Sequence, residues 1–138
     1  MSIFTPMKHT CTLAVRSYEC DGYRHVNNAV YLNYLEYARI EFLKDIGFDY
    51  DRMRERGFGL FVKSIRIEFR SPAKAGETLT IVTEPVMKRR ASGTFRQIIF
   101  RDKTISVEAD VTWVFVDSAG KPSRIPAEFD KPHLAPEM

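Results

Sequence analysis

The chain has 138 residues, 44% hydrophobic and 28% charged, with a net charge of +3. That suffices for one domain with a buried core, and is too even a balance for a dedicated nucleic-acid binder, which concentrates basic residues on one face. Nowhere do roughly 18 apolar residues run together, so no membrane span is expected. The N-terminal MSIFTPMKHTCTLAV holds no unbroken apolar stretch that would form a signal-peptide core. Cys11 and Cys20 match no zinc or thiol-redox spacing; they read as reduced thiols, and a cytoplasmic location is expected.

Residues 10 to 16 alternate loosely and predict a first strand. A polar segment, Ser17 to Asn28, then interrupts all periodicity. From Asn28 to about Ile46, the residues Val30, Tyr31, Tyr34, Leu35, Ala38, Phe42 and Ile46 recur at three- and four-residue spacing, which predicts a helix. Asn27 or Asn28 is its N-cap and Gly47 its stop. Leu32, Tyr37, Ile40 and Leu43 extend the apolar character around most of the circumference, so the helix is expected to be buried and wrapped by other elements.

A short helix over Asp49 to Arg56 follows, and Gly57 and Gly59 break the chain. Four strand-like runs come next: Leu60–Phe69, Thr78–Met87, Thr94–Arg101 and Ile105–Val116, each rich in Val, Ile, Phe and Thr. Pro72 and Gly76 mark the first turn between them, Ser92-Gly93 the second and Asp102-Lys103 a tight third. Such short links force antiparallel pairing. The order β-α-β-β-β-β predicts an α+β domain spanning 1–138, an antiparallel sheet of about five strands around one long central helix. The terminal segments 1–8 and 127–138, the latter rich in proline, are expected to be extended or loosely ordered.

Within the polar segment Asp21 stands just before the long helix. A carboxylate there lies beside backbone N–H groups able to hold a developing oxyanion, an arrangement suited to attack on an acyl carbonyl. A turn or helix cap explains an aspartate in this place equally well. Three scattered histidines, His9, His25 and His133, make no metal site. Glu36 and Arg39 are helix neighbours at i, i+3, and an ordinary ion pair accounts for them. Lys88, Arg89 and Arg90 form the one compact basic cluster, in a predicted turn followed by Ser92. Phe58, Leu60 and Phe61 suit a core or the lining of an acyl tunnel.

The segment DGYRHVNNAVYLNYLEYAR resembles the D-x-x-G-H-V-N-N-A-x-Y-L-x-Y-x-E-x-A-R signature of hot-dog acyl-CoA thioesterases of the 4-hydroxybenzoyl-CoA thioesterase family. The resemblance continues through IRIEFRSPAKAGETLTI and ends in VTWVFVDSAGKPSRIP, covering nearly the whole chain in order. Two positions depart from the pattern: Arg24 stands where the family has Gly, and Glu19 is the acidic residue two positions before the aspartate. A side chain at position 24 adopts only at a cost the backbone angles that Gly takes freely.

The resemblance implies a hot-dog fold and hydrolysis of acyl-CoA to a carboxylic acid and free CoA, with no cofactor and no metal. It implies Asp21 as nucleophile or general base and the Asn28 backbone N–H as carbonyl polariser, aided by the helix dipole. His25 is either a second acid–base group or a structural donor. Lys88, Arg89, Arg90 and Ser92 are expected near the CoA phosphates, where arginine binds by a planar fork, and Phe61 near the acyl group. A homodimer or homotetramer with sites at the subunit interface is expected. An acyl-carrier-protein thioesterase remains an alternative, as do a hydratase or dehydratase using His25 and Glu36 and a non-catalytic acyl-CoA binding module.

Overall fold

The computed structural model describes residues 3–4 and 8–136. The β-branched and aromatic runs form β1 (Ile3–Phe4), β2 (His9–Ala14), β3 (Gly59–Phe69), β4 (Thr78–Lys88), β5 (Ser92–Arg101) and β6 (Thr104–Val116). All pairings are antiparallel, and the sheet order is β1-β2-β4-β5-β6-β3. The helices α1 (Asn28–Asp45) and α2 (Tyr50–Glu55) intervene between β2 and β3. The chain thus leaves β2 near one side of the sheet, crosses its face in α1 and returns as β3 on the opposite edge. The expected α+β layout holds, with the two-residue β1 added. The part of the N-terminal expectation that covers residues 1–2 and 5–7 lies outside the described residues.

Two apolar clusters lie beneath α1. Its first half contributes Tyr31, Tyr34, Leu35 and Ala38 to a core with Leu79, Ile81, Ile99, Val107, Ala109 and Val111. Its second half brings Phe42 and Leu43 to a more aromatic core with Phe95, Trp113, Phe115 and Phe129. A buried polar network fixes the helix between them. Gln97 of β5 donates through Nε2 to the Leu35 carbonyl (3.0 Å) and to Thr83 Oγ1 (2.9 Å), and its Oε1 accepts from Arg39 Nη1 (3.0 Å). Because the amide is satisfied on both ends, it sets the helix position without the penalty of an orphaned polar group. Arg39 therefore turns into the sheet and hydrogen-bonds Gln97 rather than making the ion pair with Glu36 that their spacing suggested; burial holds its guanidinium below the usual arginine range, with Glu36 and Tyr50 opposing.

Three further expectations are revised. The helix is covered on one side only: Leu32, Tyr37 and Ile40 are exposed, because a single sheet layer reaches about half of a helix circumference. Ser92 and Gly93 belong to β5, not to the turn, where Arg89 N–H donates to the Ser92 carbonyl. Gly93 is required by packing, since a Cβ there would sit 2.5 Å from the Trp113 ring. The proline-rich tail is better packed than its composition suggests: Ile125, Phe129 and Leu134 are buried in the aromatic core, and Pro132–Leu134 form a 3-10 turn. At that same end of the helix His9, fully buried, places Nε2 2.8 Å from Asp45 Oδ2 and ties β2 to the last turn of α1. No described helix is long and apolar enough to cross a membrane.

Cys11 is 2% exposed, and its thiol is pushed up to about 11 by burial, with Glu41 and Asp45 adding to the rise. Cys20 is partly exposed. Since the thiolate is the reactive form, iodoacetamide at pH 8 is expected to label Cys20 in the native protein and Cys11 only after denaturation. Mass spectrometry showing equal labelling of both would contradict this packing of β2.

Candidate active site

The polar segment before α1 folds into a small hairpin. Asn27 N–H donates to the Glu19 carbonyl (2.9 Å), Asp21 N–H to the His25 carbonyl (2.8 Å), and Arg24 N–H to the Asp21 carbonyl (2.9 Å), with Cys20 bridging Val26. The loop is Gly22-Tyr23-Arg24, and Arg24 closes it with φ of 64°. A three-residue hairpin loop with a left-handed last residue is a standard solution, normally built with glycine there. The departure from the family's Gly at position 24 is thus an L-residue held in a conformation that favours Gly.

The hairpin aims Asp21 at the start of α1. One carboxylate oxygen, Oδ1, accepts from the backbone N–H of Tyr23 (2.9 Å) and of His25 (3.3 Å). The other, Oδ2, has no protein partner among the described residues. Asn27 is the N-cap, its Oδ1 accepting from Ala29 N–H (2.9 Å). Asn28, the first helical residue, keeps its N–H without a partner among the described residues, as the first turn of any helix leaves several donors unpaired. Asp21, His25 and Asn28 line one cavity of about 220 Å³, closed by Tyr31, Phe69 and Arg70. Asp21 and Asn28 thus line one pocket, and each carries a polar group, Oδ2 and the backbone N–H at a positive helix end, that is without a partner among the described residues. Attack on a carbonyl requires such a pair of groups.

Tyr31 and Arg70 escaped the sequence reading. Tyr31 carried a signal, since it lies three residues after Asn28 on the same helix face; its hydroxyl accepts from Ala73 N–H (3.0 Å) and anchors the β3–β4 connection. Arg70 had none: the sheet brings it to the cavity, where Glu68 and Glu108 hold its guanidinium at 2.9 and 2.7 Å.

The other expected site residues lie elsewhere. Lys88 is committed to Asp130 (3.3 Å) and sits over the Trp113 ring, while Arg89 and Arg90 are exposed. Register places Phe61 opposite Val114 and Val114 opposite Ser92, so Phe61, Ser92 and the basic turn share one end of the sheet. The Asp21 cavity is at the other end, next to Phe69. Eight residues at about 3.3 Å each separate Phe61 from Phe69 by roughly 26 Å along β3. Phe61 lines a second, larger cavity of about 570 Å³ with Ile40, Leu43, Leu60, Val62 and Trp113, to which Glu36 and Arg39 also contribute. No group of three His, Cys, Asp or Glu suited to a metal occurs among the described residues.

A thioesterase-like superfamily model matches residues 15–132. A long-chain acyl-CoA thioesterase of Escherichia coli is 35% identical over 107 residues, covering 76% of this chain and 80% of that protein. A chloroplastic acyl-acyl carrier protein thioesterase of Arabidopsis thaliana is 35% identical over 127 residues, 86% of this chain, and the chain spans 64% of that relative's length. Among solved structures, a probable thioesterase from Bartonella henselae superposes with a TM-score of 0.81 at 28% identity, covering 86% of this chain and 99% of that one. A probable thioesterase from Escherichia coli gives a TM-score of 0.76 at 31% identity, covering 89% and 92%.

The left-handed residue makes one stability prediction. Arg24→Gly relieves roughly 1–2 kcal/mol of left-handed strain against roughly 0.5–1 kcal/mol of added chain entropy. A net gain of up to about 1 kcal/mol is expected in denaturant titration; a loss of stability would mean that the Arg24 side chain supports the hairpin.

Proposed function

As the chain belongs to the thioesterase-like superfamily, we propose that it hydrolyses acyl-CoA to a carboxylic acid and free CoA at the Asp21 cavity. The observation that carries this reading is that Asp21, whose Oδ2 has no partner among the described residues, and Asn28, whose N–H has none, line one pocket. With the thioester carbonyl there, the Asn28 N–H and the dipole of α1 stabilise the oxyanion that forms on attack. Asp21 either adds to the carbonyl, expelling the CoA thiolate and leaving a mixed anhydride that water opens, or takes a proton from a water that attacks directly. His25, which lines the same cavity, is the group offered to share that proton. Asp21→Asn preserves the accepting oxygen for Tyr23 and His25 and removes the charge. It is expected to lower kcat by at least about 100-fold; turnover at the wild-type rate in a thiol-release assay would end the proposal.

The acyl group is assigned to the 570 Å³ cavity, which falls in the range of roughly 300–1,000 Å³ usual for small-molecule sites. On one chain the two cavities lie at opposite ends of β3. That strand is an edge, and two copies of it paired antiparallel about a two-fold axis set the Phe69 end of one beside the Phe61 end of the other. Leu32 and Ile40 on the open flank of α1, with Phe61, Val62 and Phe69 on β3, are exposed apolar residues of the kind that an interface between copies would cover. The active unit in this reading is a homodimer, or a tetramer of two such dimers, whose sites take Asp21 from one subunit and the acyl pocket from its partner. Arg89 and Arg90, at the pocket end of the sheet, are then placed to meet the CoA phosphates.

Carrier-protein thioesters are the second reading. The Arabidopsis relatives are named for them, and an exposed arginine pair suits an acidic carrier surface as well as a nucleotide. The ratio of kcat/KM for one acyl chain on CoA and on carrier protein separates the two. The shared site is tested by subunit mixing. Asp21→Asn removes the carboxylate and Ile40→Trp fills the pocket, so each variant alone is inactive. After random exchange of subunits, half the dimers are mixed and each holds one intact site, so about a quarter of wild-type activity is expected. No recovery after verified exchange would place both halves of the site on one chain.

A further inference from the structure

Glu19 does not line the Asp21 cavity, yet it is the most heavily bonded side chain of the hairpin. Its Oε1 accepts from Arg16 N–H and from the Tyr34 hydroxyl, both at 2.8 Å, and its Oε2 accepts from Arg16 Nη2 at 2.8 Å. Its own carbonyl accepts the Asn27 N–H at 2.9 Å. One residue is therefore joined to the end of the β2 segment, to the second turn of α1 and to the N-cap of α1. Its side chain is 10% exposed. Burial would raise its carboxyl, but the Arg16 and Tyr34 hydrogen bonds and the Arg16 charge outweigh this and hold it below the usual glutamate range.

The geometry of these bonds has a consequence for the site. Asp21 follows Glu19 by two residues, and Asn28 follows Asn27 by one. The distance between the Asp21 carboxylate and the Asn28 N–H is thus determined by where the Glu19 end of the hairpin is pinned relative to α1. Two of the four bonds are decisive: Tyr34 fixes the side chain to the helix wall, and Asn27 fixes the main chain to the helix start. The Val26 N–H also donates to the Ala73 carbonyl at 2.9 Å and His25 bridges Lys74, tying the later strand of the hairpin to the β3–β4 connection. Loss of the first bond therefore loosens the Glu19 strand, which carries Asp21, relative to the helix start.

We propose that Glu19 is a positioning residue, which with Tyr34 sets the separation of the Asp21 carboxylate from the Asn28 N–H. The proposal rests on the thioesterase reading for its kinetic consequence, and on the fold alone for its structural one. A misplacement near 1 Å costs on the order of 100-fold in rate. Glu19→Ala is expected to lower kcat by roughly that factor with KM nearly unchanged, and Tyr34→Phe by about tenfold. Glu19→Gln keeps an oxygen for Tyr34 and Arg16 and should recover most of the rate. The two losses act through one bond, so the double variant should be no slower than Glu19→Ala alone. Wild-type kcat in both single variants, or losses that multiply, would overturn the proposal.

Amide hydrogen exchange supplies a readout independent of turnover and of whether Glu19→Ala folds. In Tyr34→Phe the amides of Asn27, Tyr23 and His25 should exchange faster while those within the Leu79 and Ile99 strands stay protected. Unchanged exchange at all three overturns the positioning role. A wild-type protein that cleaves no thioester but shows the loosened hairpin in Tyr34→Phe would count against the thioesterase reading and leave the positioning intact.

Discussion

The arrangement at the candidate site depends on the meeting of two backbone structures, the hairpin over residues 19–27 and the first turn of α1, joined by the hydrogen bond from Asn27 N–H to the Glu19 carbonyl. A helix start always presents donors that it cannot satisfy itself. Here the Asn27 side chain takes one, at Ala29, and leaves that of Asn28 facing outward. The hairpin closes its loop on Arg24 in the left-handed region and brings Asp21 to the same pocket as Asn28. Electrostatics follow from this backbone geometry. The carboxylate needs no ion pair to hold it, because the Tyr23 and His25 amides already fix one of its oxygens.

The remainder of the molecule keeps that meeting point rigid and open. Gln97, itself bonded to Thr83, holds α1 to the sheet at Leu35 and Arg39, about two and three turns along from Asn28, which fixes the helix relative to the sheet. The aromatic core under the second half of the helix is sealed by the tail, through Ile125, Phe129 and Leu134. The opposite flank is left uncovered, with Leu32 and Ile40 exposed beside the unpaired edge of β3. A chain so asymmetric covers one face of the helix and leaves apolar side chains beside an unpaired strand edge on the other.

The sequence offered several site candidates, and only those close together in the chain were also grouped correctly. Asp21, His25 and Asn28 were found together because they are close in sequence, and local turn and helix chemistry decides their geometry. Phe61, Ser92 and the basic turn also fall together, but at the other end of the sheet, since antiparallel register alternates which ends of successive strands meet. Lys88 looked like a ligand-binding cation and is instead paired with Asp130, a residue 42 positions later whose place only the folded tail settles. Tyr31 and Arg70 reached the Asp21 cavity through packing, and Arg39 left its expected partner Glu36 because Gln97 lay beneath it.

By itself the sequence determined the main elements and their order, an N-cap at Asn27 or Asn28, the antiparallel pairing and the family to which the signature belongs. Each of these rests on interactions between near neighbours: helical and strand periodicity, a capping side chain, short turns. Tertiary structure alone decided that α1 is half covered, that Gly93 serves Trp113 rather than a turn, that Arg39 turns to Gln97, and that the two cavities stand at opposite ends of one edge strand. Those depend on distances between residues remote in the chain. Such distances are set by how a single sheet layer meets one helix, and no local pattern encodes them.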